Sequence, residues 1–186
     1  QADNALVAAA LAQVTGVPDA LDRLSGLVGV RGRMELAATL ANGAAVYVDY
    51  AHTPDALERL LAALRPHTAG RLHVVFGAGG DRDPGKRPLM GAAVAAHADV
   101  AIVTDDNPRN ENPAAIREAV LAGMAAMPAA RAAANRADAI AEALAALKPG
   151  DVLAVAGKGH EQGQTIGTET FPFDDVSLVR RLVAGG

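Results

Sequence analysis

Thr104-Asp105-Asp106-Asn107-Pro108-Arg109 gathers two carboxylates, an amide and a guanidinium, with a proline stiffening the backbone between them. An apolar run rich in β-branched residues, Asp99-Val100-Ala101-Ile102-Val103, precedes it and reads as a buried parallel strand. Asn112-Pro113 follows and reads as a helix start, with an Asn cap and proline at the first position. The segment is thus a strand-to-helix loop at the carboxyl edge of a sheet, where open α/β folds place their ligands. Alone, such a loop is equally a solvated turn. Two more strands end in similar loops, Gly77-Ala78-Gly79-Gly80-Asp81-Arg82-Asp83 and Gly157-Lys158-Gly159-His160-Glu161. Three such loops on one sheet edge suit a small, multiply charged ligand.

Two tempting motifs fail on their details. A dinucleotide fingerprint beginning at Gly77 needs Gly or Ala at position 82, which is Arg82, and Asp81 and Asp83 would repel a pyrophosphate. Gly80 to Lys86 has phosphate-loop spacing, but Arg87 supplies no hydroxyl for magnesium, and acids and Pro84 stand where cradling amides belong. Arg82, Lys86 and Arg87 are better read as partners of carboxylate or phosphate. His52 lies at a strand end beside a helix N-terminus, a place for a nucleotide or merely for a capping histidine. Asp49 ends its strand toward the same mouth, where a carboxylate can take ribose hydroxyls. Lys158 and His160, set between glycines, either hold an anion or cap a turn, and Glu161 is an acid beside a site furnished with Arg. His67, His73 and His97 have no ligand-like spacing and read as surface or structural. The acids are dispersed over loops, so no metal site is expected in these residues.

The elements that must position these loops alternate. Residues 1–15 read as an amphipathic or buried Ala/Leu/Val helix and 19–27 as a second short helix, with Gly29-Val30-Arg31-Gly32-Arg33 as a hinge. Strands at 34–40 and 45–50 flank Asn42-Gly43, a hairpin turn signal. Thr53 caps a helix to about Leu64 whose leucines 57, 60, 61 and 64 share one face. Strands at 72–76, 99–103, 129–133 and 151–156 then alternate with helices at 88–98, 113–124 and 135–147. A hairpin over 164–173 and a helix from 174 close the chain. The expectation is an α/β fold: a Rossmann-like, mostly parallel sheet with helices on both faces, plus N-terminal and C-terminal hairpin strands.

The totals exclude several classes. With 51% hydrophobic but only 3% aromatic residues, the core must be built from Ala, Val and Leu. No apolar run reaches the roughly 20 residues of a membrane span, and nothing at the start has the pattern of a signal peptide. The absence of cysteine excludes disulfides and thiolate metal sites and fits a cytoplasmic protein. A net charge of −4 argues against a nucleic-acid binder held by bulk electrostatics.

Val48-Asp49-Tyr50-Ala51-His52-Thr53-Pro54, Gly79-Gly80-Asp81-Arg82-Asp83, Asp106-Asn107-Pro108-Arg109 and Ala156-Gly157-Lys158-Gly159-His160-Glu161 together resemble the Mur ligases in order and spacing. The pattern is most similar to the members that add meso-diaminopimelate to UDP-MurNAc-L-Ala-D-Glu in peptidoglycan synthesis. The resemblance runs from about Gly29 to the end. It implies remnant helices of the family's central ATPase domain and a hinge over 1–33, and the C-terminal domain over 34–186.

By that resemblance, Arg33, Asp49 and His52 contact the nucleotide: Arg33 the phosphates, Asp49 the ribose. Arg82, Asp106, Asn107, Arg109, Gly157 and Glu161 bind meso-diaminopimelate. No catalytic or metal residue is implied here, because the family's phosphate loop, carbamylated lysine and principal magnesium ligands belong to its other domains. ATP and magnesium are therefore implied for the full-length enzyme, with none tightly bound to this segment, and the UDP-MurNAc-dipeptide is held elsewhere. The segment alone is expected to be inactive. Arg31 departs from the proline that relatives commonly carry in the junction. A folate or poly-amino-acid ligase domain is the alternative in the same fold, but has no reason to carry Asp106-Asn107-Pro108-Arg109. A stand-alone amino-acid-binding module is the alternative without catalysis.

Overall fold

A computed structural model describes residues 2–27 and 29–185. It divides into two compact units, 1–30 and 31–186.

The first unit contains helix α1 (Ala2–Val14) and a single 3-10 turn at Asp22–Gly26. The second helix expected over 19–27 is thus shorter and tighter, since it has no side-chain cap and runs into Gly26. Leu6, Val7, Leu11 and Val14 of α1 are exposed, so the helix is apolar on more than one side rather than amphipathic or buried.

The second unit is built on a six-stranded sheet. Strands β1 (Glu35–Thr39) and β2 (Ala45–Asp49) form an antiparallel hairpin. Its turn is tied by the Asn42 side chain, which accepts from Ala44 N–H at 3.0 Å and donates to the Leu147 carbonyl at 3.0 Å. Then follow α2 (Pro54–Leu64), β3 (Leu72–Phe76), α3 (Lys86–His97), β4 (Val100–Thr104), α4 (Pro113–Leu121), β5 (Arg131–Ala133), α5 (Arg136–Ala146) and β6 (Val152–Ala156). A separate hairpin of β7 (Gly163–Ile166) and β8 (Glu169–Pro172) precedes α6 (Asp175–Ala184). The caps expected at Thr53 and Asn112 form, accepting from Ala56 N–H at 3.3 Å and Ala114 N–H at 2.9 Å.

The sheet order is β1-β2-β6-β3-β4-β5, parallel everywhere except at the β1–β2 hairpin. Alternation along each strand sorts the core into two layers. Leu72, Val74, Phe76, Ala101, Val103, Val152 and Ala154 face the leucines of α2, Met90 and Val94 of α3, and Ile116 and Val120 of α4. Val46, Val48, Val75, Ile102, Leu153 and Val155 face Ile140 and Leu144 of α5 and Val176 and Val179 of α6. The chain winds outward from β3 to β5 with helices on one face, then returns through α5 on the other to insert β6 between β2 and β3. That reversal makes a topological switch point at the carboxyl ends of β6 and β3, and it opens a crevice there.

Candidate functional site

The crevice is a cleft of about 370 Å³. The loops after β2, β3, β4 and β6 line it with His52, Arg82, Asp106, Asn107, Arg109, Gly157 and Glu161, among others. The six residues expected to bind the amino acid therefore meet in one place, although they span positions 82 to 161 of the chain.

The loops meet because glycine lets backbone pass close to backbone. A Cβ at Gly80 would lie 1.9 Å from the Pro108 carbonyl oxygen, and Gly80 N–H donates to the Asn107 carbonyl at 2.8 Å. At Gly157, with φ of 117°, a Cβ would lie 2.7 Å from Asp106 Oδ2. Arg109 adopts a left-handed φ of 50°, held by its own N–H to the Thr165 carbonyl at 3.1 Å and its carbonyl to Gly167 N–H at 2.7 Å. Among the described residues only Nη1 of its guanidinium is engaged, by the Gly80 carbonyl at 2.8 Å and the Asn107 carbonyl at 3.4 Å. Nε and Nη2 stay available to a ligand carboxylate.

Beneath the loops lies a buried charge cluster. Lys158 is fully buried, and its Nζ donates to Asn107 Oδ1 at 2.9 Å, Glu161 Oε2 at 3.3 Å and Asp106 Oδ1 at 3.4 Å. Asn107 Nδ2 donates to Glu161 Oε2 at 2.9 Å, while Thr165 N–H donates to Asn107 Oδ1 at 2.9 Å, which fixes the orientation of the amide. Gln164 Nε2 donates to the Asp106 carbonyl at 2.8 Å. Below, Arg136 forms a bidentate pair with Asp175 at 2.8 and 2.9 Å, and both side chains are wholly buried. Burial pushes the Asp106 carboxyl up, against the opposing pull of Arg136 and Lys158. Asp105, beside it, pairs with Arg117 instead and does not line the cleft.

On the other wall, Arg82, Lys86 and Arg87 enter from the loop and first turn of α3, whose N-terminus has no side-chain cap. Its first amides are taken by Asp83 and Pro84, so the helix dipole rather than free N–H groups adds to the positive potential there. Arg87 is buried and pairs with Glu111 at 2.7 Å, so it is first an internal partner rather than a free ligand contact. The hydrogen bond from Arg87 holds the Glu111 carboxyl below its ordinary range. Glu111 Oε1 also accepts from Asp81 N–H at 2.6 Å, which braces Asp81 in a left-handed φ of 51° immediately before Arg82.

The expected nucleotide residues divide. His52 lines the cleft, and its Nδ1 donates to the Tyr50 carbonyl at 2.7 Å, so a neutral ring presents Nε2 as an acceptor. Arg33 lies outside the cleft lining and stacks 4.5 Å over the Tyr50 ring. His52 and His160 also pack against that ring, at 4.5 and 5.1 Å between centroids. Asp49 does not open into the cleft either. Its two oxygens accept from Met34 N–H and Ala51 N–H, each at 2.7 Å. Just before β1, Gly32 packs so closely on Gly159 that a Cβ would lie 2.2 Å from its carbonyl carbon. Arg31 pairs with Asp174, the cap of α6. No group of three His, Asp or Glu side chains able to hold a metal occurs among the described residues. Among the described residues no helix is long and apolar enough to cross a membrane.

Sequence reasoning left Lys158 undecided between anion holder and turn cap, and it missed Arg136, Asp175, Glu111, Gln164 and Thr165. Lys158 instead faces inward as an internal counter-charge. Arg136 and Asp175 each sit at the start of a helix, where a charged residue ordinarily reads as solvated, and their pairing across 39 residues leaves no local trace.

An open, mostly parallel α/β sheet with a cleft at its switch point, lined by both guanidinium groups and carboxylates, defines a doubly wound α/β domain with a charged cleft. The chain belongs to the Mur ligase family, whose glutamate ligase domain matches residues 32–159. It is 54% identical over 186 residues to the UDP-N-acetylmuramoyl-L-alanyl-D-glutamate–2,6-diaminopimelate ligase of Agrobacterium fabrum, covering 99% of this chain and 37% of the relative. It is 57% identical over 182 residues to the ligase of the same name from Mesorhizobium japonicum, covering 97% of this chain and 37% of the relative. A solved structure of a ligase of that name superposes with a TM-score of 0.79 at 39% identity, over 95% of this chain and 36% of that one. The chain thus spans little more than a third of the length of the relatives it matches.

Proposed function

We propose that this chain is the C-terminal, amino-acid-recognising domain of an ATP-dependent ligase that joins meso-diaminopimelate to UDP-MurNAc-L-Ala-D-Glu in the cytoplasm. One observation carries this reading: Arg109, with guanidinium donors to spare, shares a cleft with the acids Asp106 and Glu161. Relatives of that name at 54% and 57% identity support it over a folate or poly-amino-acid ligase. The family likeness supports a ligase domain over a stand-alone binding module.

In the proposed reaction, ATP first phosphorylates the terminal carboxylate of the muramoyl dipeptide. The neutral amine of diaminopimelate then attacks the acyl carbon, the C–N bond forms, the C–O bond to phosphate breaks, inorganic phosphate leaves and the amine's proton passes to solvent. This domain holds the amine in attacking position. Arg109 grips the distal carboxylate through two parallel hydrogen bonds, Arg82 assists with a carboxylate, and Asp106 and Glu161 face the ammonium groups. Asn107 and Gly157 shape the floor. Lysine lacks the distal carboxylate, so it would leave Arg109 desolvated and unpaired. His52, Arg33 and Asp49 are assigned to the nucleotide, with the Arg33–Tyr50–His52 stack as its platform. ATP-bound magnesium and the phosphate loop are assigned to other parts of the full-length enzyme.

The test is a pair of assays. The full-length enzyme is expected to sustain ADP release over many turnovers only when both the muramoyl dipeptide and diaminopimelate are supplied, and to prefer diaminopimelate to lysine. The 186-residue chain alone is expected to release none. Equal turnover with lysine, or ADP release by the chain alone that an active-site substitution abolishes, would overturn the reading.

A further inference from the structure

Lys158 is an expensive residue to place where it is. A fully buried ammonium is rare and is tolerated only when its donors are all taken. Here they are: three acceptors, Asn107, Glu161 and Asp106, lie within 3.4 Å of Nζ. The backbone forces the side chain inward, since Gly157 and Gly159 on either side adopt left-handed φ of 117° and 54°. All three acceptors line the cleft.

We propose that Lys158 is a positioning residue for the amino-acid substrate: by bridging Asn107 and Glu161 and offsetting Asp106, it sets the acceptors that receive the substrate's ammonium group. The proposal rests on the functional reading above and goes beyond it. Glu161 Oε2 is taken by both Lys158 and Asn107, while Oε1 has no partner among the described residues and is the oxygen left for a ligand. The surrounding charges point the same way. Asp106, Glu161 and Asp175 are offset from beneath by Lys158 and Arg136, while Arg82, Lys86, Arg87 and Arg109 line the same cleft. Without Lys158, Asp106 would be left buried with Arg136 as its remaining cation from beneath. Burial then pushes the Asp106 carboxyl up with less opposition, and an acid that takes a proton loses the charge that attracts an ammonium.

The full-length enzyme, with Lys158→Met and Lys158→Arg beside the wild type, provides the test, by steady-state kinetics across about pH 6–9. Lys158→Met is expected to raise KM for diaminopimelate about tenfold or more while KM for ATP stays within about twofold. Its KM for diaminopimelate is also expected to rise further on acidification, through an ionisation displaced upward from that of the wild type. Lys158→Arg keeps the charge and is expected to keep the wild-type profile. Equal loss toward both substrates, or a raised KM with no displaced ionisation, would make Lys158 merely structural. Should Lys158→Met fail to fold, the Nζ resonance of Lys158 in ¹⁵N-lysine-labelled wild type decides. It is expected to shift with diaminopimelate and not with ATP, and no shift overturns the proposal. A wild type whose turnover ignores diaminopimelate overturns the functional reading, and the proposal falls with it. A diaminopimelate-dependent wild type matched by Lys158→Met overturns the role of Lys158 alone.

Discussion

Asp49 holds Met34: its Oδ2 accepts the Met34 N–H at 2.7 Å, and Met34 sits there in a left-handed φ of 47°. The Asp49 carbonyl meanwhile accepts from Gly157 N–H at 3.1 Å, so one residue ties the start of the sheet to the floor of the cleft. Asp49→Ala should therefore destabilise the fold by about 1–2 kcal/mol, the low end for a charged acceptor at a partly exposed site. Met34→Gly in the same background should recover about 1 kcal/mol, because glycine adopts that φ freely. Urea unfolding of the wild type, Asp49→Ala, Met34→Gly and the double variant measures both. A rise in KM for ATP that Met34→Gly reverses would assign the effect of Asp49 to the junction and not to a ribose contact.

Arg109 separates stability from recognition. Its left-handed backbone costs about 1 kcal/mol, which glycine relieves and alanine does not. Arg109→Gly should accordingly be the more stable of the two variants. Both should lose about 2–3 kcal/mol in kcat/KM for diaminopimelate and narrow the preference over lysine, with KM for ATP little changed. Retention of the full preference would remove Arg109 from the specificity argument.

Gly80→Ala probes the seam between two loops. The new methyl meets the Pro108 carbonyl, rigid backbone that cannot swing aside. A loss of about 1–3 kcal/mol or more is expected, together with weakened diaminopimelate binding, since Arg109 hangs from the Gly80 carbonyl. Thermal melts and substrate kinetics check the two effects separately. A neutral substitution would mean that the loops slide.

His73 gives the fold a pH dependence at the opposite end of the sheet. Burial lowers its imidazole below the ordinary 6.5, despite the neighbouring Asp151 carboxylate at 3.2 Å. The unfolded chain then binds the proton more readily than the folded one, so stability should fall as pH drops below about 6.5 and level off below the folded-state value. His73→Gln should flatten this slope between about pH 7.5 and 5.5. Above that window the two proteins should show equal slopes. An unchanged slope in the variant would assign the proton uptake to another group. The depressed Asp99, Asp151 and Asp174 carboxyls act only at lower pH, where each loses its contribution as it protonates.

What the sequence disclosed depended on range. Strand-helix alternation, the Asn42-Gly43 turn and the caps at Thr53 and Asn112 are local and could be read directly. So could the cleft residues, because strand ends on one parallel sheet must share an edge. Residues whose role depends on distant partners stayed hidden. Arg136 needs Asp175, Arg87 needs Glu111, and Lys158 needs its own inward turn between two glycines before it is anything but a surface lysine. Asp49 was visible as a strand-end acid, but nothing nearby in the chain showed that its oxygens were already spoken for by Met34 and Ala51.

The β7–β8 hairpin makes no ladder with the main sheet, yet it is stitched to the loop after β4 by Gln164, Thr165 and Gly167. Amide exchange in that loop is therefore governed by a structure 58 residues downstream. Thr165, Gly167 and Arg109 share two backbone bonds, so their protons should exchange as one cooperative unit, slower than the exposed hairpin tip and faster than β3 and β6. A ligand gripping Arg109 would slow all three together. The hairpin would then report occupancy of a cleft it does not line.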